Sequence, residues 1–185
     1  MNILLLKLPK DAKYIAWIDA DIHFFNPRWA SEAIAKLKQL DLIQLFEEAD
    51  FIGKDWRVQY RTKSLMYYAC VNPNNLKELS KRQETYPHPG YAWAATRDYL
   101  SQLGGFYQAN IIGSGDKFMA YTALGKMQDG IQENCKLSSG FISDYKHWAS
   151  KAIPKRGYGY ASGRIAHEYH GERENRGYVN RWSLL

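Results

Sequence analysis

Residues 14–27 read Tyr-Ile-Ala-Trp-Ile-Asp-Ala-Asp-Ile-His-Phe-Phe-Asn-Pro, and this stretch decides the fold class. Tyr14–Ile18 is a short apolar run rich in β-branched and aromatic residues, the pattern of a buried strand. It ends in Asp19-Ala20-Asp21. Asn26-Pro27 then predicts a helix start, because Asn caps well and Pro is tolerated at the first helical position. Ala30, Ala33, Ile34, Leu37 and Leu40 follow at helical spacing as one apolar stripe. A second strand is expected at Leu42–Phe46. Strand, helix and strand in succession predict an α/β fold with helices covering a sheet.

Working outward, Glu47 to Tyr60 reads as polar and irregular, with Gly53 and Asp55 as turn residues. Ser64–Cys70 predicts a helix stopped by Asn72-Pro73. His88-Pro89-Gly90 leads into a buried strand at Tyr91–Ala95. Thr96 should cap a helix over Arg97–Leu103 that Gly104-Gly105 ends. A Gly-rich turn, Gly113-Ser114-Gly115-Asp116, runs into a helix at Lys117–Leu124. Ser139 starts another, with Phe141, Ile142, Tyr145, Trp148, Ala149 and Ala152 on one face. From Gly157 onward Gly, Tyr, His and Arg alternate, which suggests strand and loop around a site. No repeat or low-complexity linker divides the 185 residues, so residues 1–185 are read as a single domain.

The composition, 45% hydrophobic and 24% charged, belongs to a folded globular chain and excludes disorder. With 6 Trp, 14 Tyr and 7 Phe, rings suffice for both a core and a pocket lining. The two cysteines, Cys70 and Cys135, are too few for a disulfide scaffold, lie in no metal-type spacing and have no flanking His–Asp pair for a nucleophile. No apolar run is long enough to span a bilayer, and Met1–Leu8 lacks the basic start of a signal peptide. A cytoplasmic location is the expectation. The net charge of +6 suits an anionic partner. It is spread along the chain without a Lys/Arg block, so nucleic acid is not the expected one.

Three constellations can carry chemistry. Residues two apart on a strand share a face, so Asp19 and Asp21 at a strand end can meet one cation. Two hard oxygen ligands suit Mg²⁺ or Mn²⁺, which take phosphates as further ligands. The same residues could merely end a strand and cap a turn. Gly115, with Gly113, would let a backbone approach an anion at a helix start, with Asp116 in the first turn; a plain capping turn reads equally well. His167 and His170 fall within four consecutive positions, beside Gly171, Arg173 and Arg176, where imidazole suits a metal and Arg suits phosphate. Interleaved Glu168, Glu172 and Glu174 make a solvated mixed-charge tail the bland alternative. Tyr91, Trp93, Tyr158 and Tyr160 are candidate stacking rings that could equally be core.

The ordered set "YIAWIDADIHFFNP", "HPGYAWAATRDYLSQLGGF", "IIGSGDKFMA" and "GRIAHEYHGERENRGYVNRW" resembles a nucleotide-sugar glycosyltransferase of the GT-A fold, nearest to galactosyltransferase-like or family-2-like members. The resemblance runs from about Tyr14 to the end and is thin between Glu47 and Tyr86. It implies a Mn²⁺ or Mg²⁺ cofactor, a nucleoside diphosphate sugar donor and a glycan or other hydroxyl acceptor. Asp21 would be the direct metal ligand, and Asp19 would contact the ribose or a metal-bound water. His167 matches the late metal-binding His, with His170 the competing assignment. Asp116 matches the acidic residue at the reacting centre: a general base in an inverting enzyme, a positioning group in a retaining one. Gly90, Tyr91 and Trp93 would line the donor-sugar pocket, and His170-Gly171, Arg173 and Arg176 would lie against the diphosphate. Members of this family place base-binding strands before the Asp-x-Asp strand, whereas "NILLLKLPKD" looks like a helix end. An incomplete, N-terminally truncated domain is therefore expected, with Ile3, Leu4, Leu5, Leu6 and Leu8 poorly packed. Two other classes fit less of the chain: an inactive binding module of the same fold, and a nucleic-acid-binding or metal-dependent phosphodiesterase domain whose binding would fall with salt.

Overall fold

The computed structural model describes residues 1–73, 87–110, 113–131 and 137–171. In chain order these form α1 (Asn2–Lys7), β1 (Tyr14–Ile18), β2 (Ile22–Phe24), α2 (Trp29–Leu37), β3 (Leu42–Gln44), β4 (Glu48–Ile52), β5 (Val58–Lys63) and α3 (Leu65–Val71). There follow β6 (Ala92–Thr96), α4 (Arg97–Leu103), α5 (Gly115–Ala123), α6 (Met127–Gly130), α7 (Ser139–Ala149), β7 (Tyr158–Tyr160) and β8 (Arg164–His167).

The strands make two mixed sheets flanked by helices, so the chain is α/β. The first sheet has the order β1-β6-β3-β7, the second β2-β8-β4-β5. In the first, β6 runs antiparallel to both β1 and β3, and β3 runs parallel to β7. In the second, β8 is antiparallel to β2 and parallel to β4, and β4 and β5 form an antiparallel pair. Three consecutive strand pairs, β1–β2, β3–β4 and β7–β8, cross from the first sheet to the second through three residues each. Those crossings line up the junction between the sheets.

Alternation along β6 explains the core. Trp93 and Ala95 enter one cluster with Tyr99, Phe118, Tyr145 and Trp148, whereas Ala92 and Ala94 enter the other with Leu37, Ile43, Phe46 and Ile165. All five β6 residues are buried, so the strand is covered on both faces. The helix caps follow the local sequence. Ser64, Thr96 and Ser138 accept hydrogen bonds from the backbone N–H three residues on, and Gly104, with φ 72°, closes α4 in the left-handed region.

Two expectations change. α2 begins at Trp29 rather than at Pro27, because the Asn26 carboxamide accepts the Arg28 N–H (2.9 Å) and forms a turn ahead of the helix. Glu47 to Tyr60 is not irregular: its charged residues pair across the β4–β5 hairpin, with Lys63 on Glu47 (3.1 Å) and Glu48 (2.9 Å). At the amino end Ile3, Leu4 and Leu6 are 75%, 66% and 85% exposed, while Leu5 packs on the first cluster. Among the described residues no helix is long and apolar enough to cross a membrane.

Candidate functional site

A cleft of about 1110 Å³ opens where the sheets meet. Its walls come from the β1–β2 crossing, the β4–β5 hairpin, the segment before β6, the start of α5 and the residues after β8. Asp19-Ala20-Asp21 lies in the crossing, not on β1, whose last residue is Ile18. The expected shared strand face therefore does not place the two carboxylates. Backbone bonds from two other segments do: the Asp19 N–H donates to the Tyr91 carbonyl (2.8 Å), and the Asp21 carbonyl accepts from the Glu168 N–H (3.0 Å).

β2 and β8 bring the late histidines onto Asp21, with Ile22 opposite His167 in the ladder. The Asp21 Oδ2 lies 2.6 Å from His170 Nδ1 and 3.5 Å from His167 Nε2. One ligand atom from each of these three residues falls within 4.8 Å of the others. His167 is 4% exposed and held by ring contacts with Phe51 (4.9 Å) and Tyr91 (4.7 Å), whereas His170 is open to solvent. The structure thus brings both candidate histidines to Asp21 and does not choose between them. Asp19 lines the same cleft but is not part of this cluster.

Charge also favours a cation here. Among the described residues the cleft is lined by Asp19, Asp21, Asp55, Asp116 and Glu168 against only Lys54 and Lys117. Partial burial, then the negative charges of Asp116 and Asp21, hold the Asp19 carboxyl up at about 6, with His170 acting in the opposite direction. A carboxylate and two imidazoles form a donor set that Mn²⁺ accepts readily and Mg²⁺ less so, since Mg²⁺ prefers oxygen. The residues present fit a divalent cation.

In the same cleft, Asp116 sits in the first turn of α5, where the helix dipole favours a negative charge. Its carboxyl packs on Gly90: a Cβ there would collide with Asp116 Oδ2 and lie 3.0 Å from His88 Cε1. Gly90 is thus fixed by close approach, while Gly115 opens α5 between the lining residues Ser114 and Asp116. Tyr91 builds the cleft floor. One face of its ring stacks on His88 at 3.7 Å, and the residue is only 7% exposed. Gly171 lines the cleft beside His170. Trp93 does not reach it: the side chain is 1% exposed within the first core cluster, and its indole N–H donates to the Pro89 carbonyl (3.0 Å). The strand alternation that buries Trp93 removes it from any sugar-stacking role. Arg173, Arg176, Cys135, Ile111 and Ile112 lie outside the described residues.

Sequence reasoning missed His88 and Gln44. His88 Nδ1 accepts the Gly90 N–H (3.0 Å), which leaves its Nε2 as the protonated nitrogen of a neutral ring. Gln44, fully buried on β3, donates to the His88 and Gly90 carbonyls (2.8 and 3.0 Å) and accepts the Met66 N–H (3.1 Å). It pins the His88–Gly90 segment to the first sheet. A polar residue in the otherwise apolar run Leu42–Phe46 was the available signal. Set against known protein families, curated proteins and solved structures, the chain matches none.

Proposed function

We propose that the chain is a metal-dependent glycosyltransferase of the GT-A type, moving a sugar from a nucleoside diphosphate sugar to an acceptor hydroxyl. The observation that carries this reading is the convergence of Asp21, His167 and His170 in one cleft with Asp116. It is supported by the sequence resemblance, three of whose four segments supply those residues.

On this reading Asp21, His167 and His170 hold the Mn²⁺ or Mg²⁺. The cation, when bound, neutralises charge on the diphosphate leaving group. Asp19 faces the donor beside it. The buried, ring-packed His167 keeps its Nε2 aimed at Asp21 without a conformational search, which is preorganisation of the kind catalysis needs. Asp116 is not one of the three grouped ligands and, on this reading, faces the acceptor. In an inverting reaction its carboxylate takes the acceptor's hydroxyl proton; in a retaining one it positions the sugar.

The test is a donor screen with Mn²⁺ and several nucleotide sugars, read by thermal shift and by sugar release. Asp21→Ala should abolish the Mn²⁺-dependent stabilisation given by a nucleoside diphosphate. Stabilisation that survives in Asp21→Ala places the metal elsewhere and removes this reading.

A further inference from the structure

We infer that two copies of this chain associate about a two-fold axis through the open edge of β1, whatever reaction the cleft performs. β1 ends the first sheet: β6 pairs with it on one side, and among the described residues no strand pairs with it on the other. The ladder shows which backbone groups are left over. The Asp19 N–H donates to the Tyr91 carbonyl and the Arg97 N–H to the Lys13 carbonyl, both at 2.8 Å. Residues 13 to 19 are therefore one extended run whose odd-numbered members bond β6. Opposite Tyr14 and Ile18, the Thr96 N–H and the Ala92 carbonyl turn away to bond Asp41 and Leu45 (2.9 Å each). The N–H and C=O of Tyr14, Ala16 and Ile18 thus point outward, and among the described residues none of them has a hydrogen-bond partner. Ala16 is exposed and Ile18 is 37% exposed, so the edge is open to another chain.

A second copy suits this edge because Lys13-Tyr14-Ile15-Ala16-Trp17-Ile18-Asp19 is complementary to its own reverse. With the two-fold axis at Ala16, Tyr14 faces Ile18 of the second copy and Ala16 faces Ala16. These are the hydrogen-bonded pairs of an antiparallel ladder, and they use every outward N–H and C=O. Ile15 faces Trp17, an aromatic–β-branched pair, and Lys13 faces Asp19, a pair of opposite charge. Both kinds stabilise a sheet, and the symmetry supplies each twice. Moving the axis to Ile15 or to Trp17 separates Lys13 from Asp19 and carries Ile18 or Tyr14 past the end of the opposite strand. The register is therefore written into the segment.

Helix α1 adds apolar area beside the edge. Trp17 packs edge-on against Phe106 (4.8 Å), and the Asn2 side chain of α1 holds the Phe106 carbonyl and N–H (2.8 Å each). A stable dimer buries about 800 Å² from each partner. The paired run, about 23 Å long, supplies part of that, and the exposed Ile3, Leu4 and Leu6 of α1 supply more. Asp19 also lines the cleft, so the pairing brings Lys13 of the second copy to the cleft wall.

Sedimentation velocity of the full chain, in chelator at low salt and from about 1 to about 100 μM, should show a monomer–dimer equilibrium. Ala16→Lys sets like charges face to face on the axis, and Lys13→Glu sets a carboxylate against Asp19. Each should weaken dimerisation about tenfold or more. Both positions are exposed, so the variants should keep the monomer's circular dichroism spectrum and melting curve. Hydrogen exchange locates the contact: the amides of Tyr14, Ala16 and Ile18 should be protected in the dimer and exposed again on dilution. A chain that stays monomeric throughout overturns the proposal, as does a dimer whose three amides remain unprotected. A dimer lost in Leu6→Ser but intact in Ala16→Lys overturns it too and leaves α1 alone as the contact. None of these readings changes with the fate of the transferase assignment, which Mn²⁺-dependent stabilisation in Asp21→Ala tests separately.

Discussion

The two sheets are built on opposite physical terms. The central strands of the first are covered on both faces: every residue of β3 and β6 is buried, in a core mostly aromatic and aliphatic. The second is half in water, and charge organises its outer half. All but the last two residues of β5 are exposed, and the buried Asp50 is held between Arg61 (2.5 Å) and Arg164 (3.2 Å). The buried sheet tolerates little polar chemistry, while the half-solvated one can present histidines, carboxylates and open rings. The cleft lies at their junction, with a rigid wall on one side and a wet one on the other.

The largest effect should come from the rigid wall. Trp93→Ala removes a side chain that is 1% exposed and leaves a cavity beside Tyr99 and Tyr145, costing about 3–5 kcal/mol in urea unfolding. A loss below about 1 kcal/mol would mean that the first sheet is not the stable half. Next is the residue that joins the wall to the cleft. Gln44→Leu strips partners from the His88 and Gly90 carbonyls and the Met66 N–H, at a cost of about 2–3 kcal/mol. It should also reduce Mn²⁺–UDP stabilisation; if thermal melts show that stabilisation intact, Gln44 supports the core alone.

The smallest effect belongs to the wet wall and changes with pH. The Asp19 carboxyl is raised from 3.8 to about 6 in the folded chain, so its ionised form opposes folding. Native protein holds more protons than unfolded chain between those values, and stability falls as pH rises through about 6. Asp19→Asn should therefore raise the stability above that pH, by about 1 kcal/mol or less given the solvent screening, and do nothing below about 4, as read by thermal melts. The comparison is made with chelator present, since a cation would relieve the same repulsion. A gain that is equal at both ends of the pH range would show that the ionisation of Asp19, opposed by burial and by Asp116 and Asp21, is not its source.

Much of the first sheet was legible before any coordinates. Tyr14–Ile18 is a strand with those bounds, and Thr96, Arg97–Leu103 and Gly104 form the expected cap, helix and stop. Each is a local signal, written in consecutive residues by steric and capping preferences. Ser139 to Trp148 likewise declares its helix by spacing alone. The second sheet was not legible. β4 and β5 carry alternating charges that read as loop until Lys63 meets Glu47 and Glu48, and Asp50 meets Arg61 and Arg164. Such pairs span from eleven to more than a hundred positions, and no local window contains them.

The site divides the same way. The sequence by itself determined the residue types: carboxylates at 19, 21 and 116, imidazoles at 167 and 170, and a glycine at 90 where nothing larger fits. Only the tertiary structure decided which of them meet. Asp21 reaches both histidines because β2 pairs with β8, a ladder joining segments about 145 positions apart, as Ile22 opposite His167 shows. Trp93 leaves the candidate site, and His88 and Gln44 enter it, because strand alternation and buried hydrogen bonds act across the sheet and not along the chain.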